Sequence, residues 1–117
     1  MKQAILDTSF ILSCVKQKID FFEDLELKGI KILIPNQVVD ELEKLSEKNS
    51  IAKLSLKILK TRKFRKIDLK QKNVDNGIID FAKENPEFLV ATLDGVIKKK
   101  TKNSKIIIRV KKKIEII

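Results

Sequence analysis

The sequence predicts an α/β fold with a mostly parallel sheet and helices on both of its faces. Short apolar runs suited to strands buried on both sides recur at Ala4 to Leu6, Ile30 to Ile34, Phe88 to Leu93 and Ile106 to Ile108. Segments with apolar residues at helical spacing separate them, giving the order βααβα…βαβ. The first run also hands over directly, at Asp7-Thr8-Ser9, to a helix-like segment containing Phe10, Ile11, Leu12, Cys14 and Val15. With 117 residues, no repeat and no low-complexity linker, residues 1–117 are expected to form one domain around one core.

Taken in order, Ile19 to Leu27 reads as a second short helix closed by Gly29. Ile30 to Ile34 forms the second strand and Pro35 ends it; Asn36 caps a helix from Gln37 to Glu47. Val38, Leu42 and Leu45 define the buried face of that helix. At about 100° per residue, Asp40 then points to solvent, whereas Glu41 lies about 60° off the buried face, at the rim. Ser50 caps the next helix, Ile51 to about Lys63, which carries Lys53, Lys57 and Lys60 on one stripe. Its apolar residues exceed one core-facing stripe, so the surplus either packs under a neighbouring helix or forms a subunit interface, as in a homodimer. Phe64 to Leu69 is a weak third strand and Lys70 to Asn73 a polar link. Asp75 is the N-cap or a first-turn acid of a helix whose apolar face holds Ile78, Ile79, Phe81 and Ala82, and which ends at Pro86. Asp80, about 140° around that helix, should not share a site with Asp75. After the strand Phe88 to Leu93 stands Asp94, and Ile114 to Ile117 can add an edge segment.

Composition excludes several chemistries. The chain has no histidine, which removes Ser-His and Cys-His catalysis and nearly all zinc sites. Without Trp or Tyr, and with Phe placed as core, an aromatic platform for single-stranded nucleic acid is not expected. Cys14, the only cysteine, sits among apolar residues and reads as a core side chain. No apolar run could span a bilayer, and Met1-Lys2-Gln3 before so short a run does not resemble a secretory leader; no membrane partner and a cytoplasmic location are expected. A net charge of +10 and a pI near 9.7 favour a polyanionic partner such as nucleic acid, though lysine-rich composition can also reflect codon bias or habitat. From Val96 through Lys113 there is no acid, while Lys98, Lys99, Lys100, Lys102, Lys105, Arg109, Lys111, Lys112 and Lys113 follow one another.

The acids fall at ends of elements: Asp7 and Asp94 end strands, Asp75 opens a helix and Glu41 rims another. In parallel sheets such positions collect at the carboxyl-end crevice beside the point where strand order reverses. Each acid could instead be a helix cap or a surface charge. If the four converge, they repel: two unit charges about 4 Å apart cost roughly 4 kcal/mol at an effective dielectric near 20. A cation relieves that, and oxygen-only ligands select a hard one, Mg²⁺ or Mn²⁺. Such an ion can activate water and clamp a phosphodiester, and the lysines beyond Asp94 (Lys98, Lys99, Lys100 and Lys102) suit a nucleic-acid backbone. On this reading Asp94→Asn stabilises the metal-free protein.

Four segments resemble the PIN domain, a family of metal-dependent ribonucleases: Ile5-Leu6-Asp7-Thr8-Ser9, Val38-Val39-Asp40-Glu41-Leu42, Val74-Asp75-Asn76-Gly77-Ile78 and Val90-Ala91-Thr92-Leu93-Asp94. The resemblance implies a three-layer α/β/α sandwich and an RNA-cleaving acidic site of Asp7, Glu41, Asp75 and Asp94 holding Mg²⁺ or Mn²⁺, with Thr92 and Ser9 as hydroxyl support. Val90 to Lys100 is most similar to the ribosomal-RNA-processing branch; VapC-type toxins are the other relatives. It therefore implies RNA as substrate, and either a ribosome-assembly protein or an antitoxin as partner. Where many members carry a second acid after the position matched by Asp75, this chain has Asn76, which puts a two-metal site in doubt. Some members act as scaffolds, so a catalytically weak RNA-binding module is the competing expectation.

Overall fold

A computed structural model describes residues 2–110 and 112–117; Met1, and Lys111 of the basic stretch, lie outside them. The strands are β1 (Lys2–Leu6), β2 (Ile30–Pro35), β3 (Arg65–Ile67), β4 (Leu89–Ala91), β5 (Lys105–Arg109) and β6 (Lys113–Ile116). The helices are α1 (Thr8–Lys16), α2 (Phe21–Leu27), α3 (Asn36–Ser46), α4 (Ser50–Thr61), α5 (Val74–Glu84) and α6 (Gly95–Lys100). The strands form one sheet in the order β3-β2-β1-β4-β5-β6, parallel except for the final β5–β6 pair.

The chain leaves β1 in one direction, through β2 to β3, then crosses back to β4 and continues to β5. The order therefore reverses between β1 and β4, and this is where an α/β sheet opens a crevice at its carboxyl edge. Right-handed crossovers place α1 to α4 on one face and α5 and α6 on the other, the expected α/β/α layering. The contacts agree: α3 packs on α4 and α1 on both, while α5 packs on α6. The core is drawn from Ala4, Ile5 and Leu6 of β1, Phe10 and Ile11 of α1, Ile34 of β2, Leu42 of α3, Ile78 of α5 and Ile106 of β5, all fully buried.

Asp and Asn cap most of the helices by accepting orphan amide hydrogens. Asp20 accepts from Glu23 N, Asn49 from Ile51 N and Ala52 N, Asn73 from Asn76 N, and Asp94 from Val96 N and Ile97 N. Several local expectations are corrected. Asn36 does not cap α3; it is the first helical residue, and Pro35, still in β2, takes the cap position without a side-chain bond. Asn49, not Ser50, caps α4, because the side-chain carbonyl of the earlier residue reaches the free amides. Leu45 is 39% exposed rather than buried, since α3 runs past the elements beneath it. Of the apolar surplus on α4, Ile51, Leu56 and Ile58 pack against the core and Leu54 stays exposed. The strand expected over Phe88 to Leu93 is only Leu89–Ala91, and that over Phe64 to Leu69 only Arg65–Ile67. The basic stretch after Asp94 contains a helix, α6, absent from the sequence reading.

Candidate active site at the carboxyl end of the sheet

Asp7 follows β1 and is 3% exposed. Its amide donates to Ala91 O at 2.9 Å, which ties the end of β1 to the end of β4 across the switch point. Its carboxylate accepts three hydrogen bonds, Oδ1 from Thr8 N and Oδ2 from Ser9 Oγ and Thr92 Oγ1, each at 2.8 Å, which leaves a lone pair of Oδ1 free. The two hydroxyls accept in turn, Ser9 Oγ from Leu93 N at 3.1 Å and Thr92 Oγ1 from Asp94 N at 3.0 Å. One network thus orients Asp7 and shapes the turn that presents Asp94. Burial raises the Asp7 carboxyl above the usual carboxylate range, the three donors pull it down, and the charge of Glu41 adds to the rise.

Asp94, half-buried, spends Oδ1 on Val96 N at 2.8 Å and Ile97 N at 3.1 Å. Asp75 is exposed in the first turn of α5 and makes no hydrogen bond among the described residues. Partial burial raises its carboxyl, and so do Asp94, Asp7 and Glu41, in that order. The acids that raise it come from the end of β1, from α3 and from the β4–α6 turn. Glu41 and its neighbour Asp40 are both exposed and line one cleft. Asp80 accepts from Gln71 Nε2 at 3.0 Å, away from Asp75.

The donor set suits a hard cation in kind, being carboxylates and hydroxyls without nitrogen or sulfur. Thr8 Oγ1, beside Asp7, is buried with no partner among the described residues, a polar atom of the sort that waters and ions satisfy. The four acids stand around the crevice and do not close on one point: among the described residues no three acids form a ready metal cage. The residues fit a metal held partly through water better than one gripped by protein oxygens alone.

Of the basic residues that follow Asp94 in the chain, Lys99, Lys100 and Lys102 are exposed and Lys98 is half-buried. Lys105 is corrected: it is 9% exposed, and its Nζ donates to Thr101 O at 3.0 Å and to Asn103 O, so it fastens the end of α6 instead of facing a ligand. The sequence reading passed over Lys44, Lys70 and Lys72. With Gln37, Asp40 and Glu41 they line a cleft of about 570 Å³ on the other flank of the acids. Gln37 bridges to Asp68 Oδ1 and Leu69 N there, and Lys70 sits at φ 59°. The polar Lys70 to Asn73 link is the only sequence trace of that cleft.

Comparison with known proteins follows the same lines. The family described as "PIN like domain" matches residues 4–113. Ribonuclease VapC4 of Methanocaldococcus jannaschii is 28% identical over 127 residues, covering 99% of this chain and 97% of that protein. The rRNA-processing protein fcf1 of Schizosaccharomyces pombe is 36% identical over 101 residues, covering 82% of this chain but 51% of fcf1, so the chain spans about half of that relative. Among solved structures, the PIN domain endonuclease Utp24 superposes with a TM-score of 0.82 at 28% identity, covering 97% of this chain and 90% of that one. VapBC2 from Rickettsia felis, bound to a promoter DNA fragment, shares the fold at a TM-score of 0.54 and 17% identity, covering 88% of this chain and 98% of that one.

Proposed function

This chain belongs to the PIN-like domain family, and from that premise we propose that it is a metal-dependent endoribonuclease cutting RNA phosphodiesters at Asp7, Glu41, Asp75 and Asp94. The observation that carries the reading is the hydrogen-bond network that ties Asp7, at the end of β1, to Thr92 and the Asp94 turn after β4, where the strand order reverses. Asp7, Asp75 and Asp94 would hold Mg²⁺ or Mn²⁺, directly or through water, with Glu41 closing the rim. Such an ion supplies Lewis-acid activation of water and offsets the charge of the phosphate. Ser9 and Thr92 keep the Asp7 carboxylate in one orientation and pull its carboxyl down against the effect of burial. Lys99, Lys100 and Lys102, with Lys98 beside them, hold the flanking phosphates. Asn76, where a further acid would stand, favours one metal over two.

The biological setting follows the relatives: a role in rRNA processing is supported by the likeness to fcf1, and a toxin paired with an antitoxin by the likeness to VapC4. A fluorescent structured RNA incubated with Mn²⁺, Mg²⁺ or EDTA tests the chemistry. We expect metal-dependent cutting that falls at least a thousandfold in Asp7→Asn, the loss of several kcal/mol of transition-state stabilisation. RNA binding without cutting in any metal would sink the enzyme reading and leave the scaffold, which the open arrangement of the acids and Asn76 favour.

A further inference from the structure

A concavity of about 790 Å³ lies away from the acids. It lies at the amino-terminal corner of β2 and β3, where Gln3, Glu26, Lys31, Arg62, Lys63 and Arg65 reach its wall. The cause is a fork in the sheet. β2 pairs with β1 from Ile30 onward, but β3 joins β2 only from Leu33. The chain entering β3, Arg62 to Phe64, therefore stands off from β2 and opens a groove between them.

Register decides what faces this groove. Lys31 and Leu33 share one face of β2, and Arg65 lies opposite Leu33. Strand rise and spacing put Lys31 and Arg65 about 8 Å apart on that face. Lys63 follows α4, and Arg62 is held in place by Asp20 at 2.7 Å and by the Phe22 ring at 5.4 Å from its guanidinium carbon. Lys31, Lys63 and Arg65 are exposed and make no ion pair among the described residues. Four cations thus meet one lining acid, Glu26. Phe22, Ile30, Ile32 and Leu33 are buried and Phe64 is half-buried, so the cations stand over an apolar floor. Exposed cations over a buried apolar floor match phosphates.

We propose that this groove is a second RNA-binding site, one that grips the phosphate backbone of a structured RNA at the opposite end of the sheet from the acids. The part that concerns cutting rests on the nuclease reading above; the binding does not. The molecule measures 33 × 32 × 25 Å, so an RNA touching both ends must reach about 25 Å around it. At roughly 3.4 Å per step of a helical strand, that is about seven nucleotides. Short oligonucleotides reach one end only.

The test compares a hairpin of about twenty nucleotides with a six-nucleotide single strand, using the triple variant Lys31→Glu, Lys63→Glu, Arg65→Glu. Binding is measured in the Asp7→Asn background and cleavage in the unmutated one, with circular dichroism melting to verify folding. Hairpin affinity should fall tenfold or more, with the slope of log affinity against log salt smaller by about two to three. Six-mer affinity should hold within twofold, and cleavage should slow on the hairpin alone. Hairpin binding that survives the triple variant would overturn the proposal, as would an equal loss on both RNAs. If poly-glutamate binding is lost while hairpin binding stays, the groove belongs to an acidic protein segment. Absence of cutting by any form of the protein would defeat the nuclease reading and leave the binding result standing.

Discussion

The two ends of the sheet differ in where their charges sit, with acids at helix amino termini at one and cations around a groove at the other. At the carboxyl end, β1 and β4 run into the amino termini of α1 and α6, and α5 begins beside them. Asp7, Asp75 and Asp94 all sit at those termini, whose positive dipole ends favour anions. At the amino end, α2 stops at Leu27 and α4 at Thr61, and their negative termini favour Lys28, Lys60 and Arg62. A parallel α/β sheet sorts charge along its strands before any ligand is considered. The ends differ in what their charges do next. Asp7 is buried and its carboxylate accepts three hydrogen bonds, whereas Lys31, Lys63 and Arg65 are exposed and make no ion pair among the described residues.

That contrast can be broken most directly at Asp7. Asp7→Ala strips the acceptor from Thr8 N, Ser9 Oγ and Thr92 Oγ1 inside the protein and should cost about 2 kcal/mol, read as a lower urea midpoint. Lys31→Ala at the other end should stay within about 0.5 kcal/mol. Equal effects at the two ends would mean that the Asp7 network contributes nothing to the fold.

Metal sharpens the comparison next. Millimolar Mg²⁺ or Mn²⁺ should raise the melting temperature of the unmutated protein by a few degrees, through binding at the acids, and should leave Asp7→Asn almost unmoved. A shift that persists undiminished in Asp7→Asn would place the ion elsewhere.

The smallest effect is expected at Asp75. Asp75→Asn removes a charge that three acids oppose and that no hydrogen bond holds, so it should raise the metal-free melting temperature by about 1–3 °C near neutral pH. The sign follows from its raised carboxyl. The native state favours the protonated form, so the stability this group contributes is complete below the ordinary value of 3.8 and lost as pH rises through its native value. The gain of Asp75→Asn should therefore fade on acidification. Asp20 and Asp68 have lowered carboxyls, held down chiefly by Arg62 and by Gln37 respectively. Their stabilisation is present above 3.8 and lost as pH falls through their native values, so they cannot mimic the Asp75 trend. Asp94→Asn, also expected to stabilise, must be read with care for α6, whose cap an asparagine can keep.

Much of this was legible in the sequence, for local reasons. Apolar runs such as Ile30 to Ile34 can only be buried strands, and the helical spacing after Asp7 and Asp75 left little choice of element. What stayed hidden depended on neighbours far along the chain. α6 has six residues and one buried side chain, Ile97, too little for a period to show among lysines. Lys105 looked like its neighbours in a basic run, yet its place at the start of β5 turns its ammonium onto Thr101 and Asn103. Leu45 matched its helical stripe but has nothing above it. The sequence by itself determined the kinds of element, their order and the acids at their ends, because those follow from spacing and side-chain chemistry within a few residues. Only the tertiary structure decided that the Asp7 carboxylate accepts from the hydroxyl of Thr92, eighty-five residues on, and that Lys31 and Arg65 face one groove. Strand order and register bring such residues together, and neither is written in any single stretch of the chain.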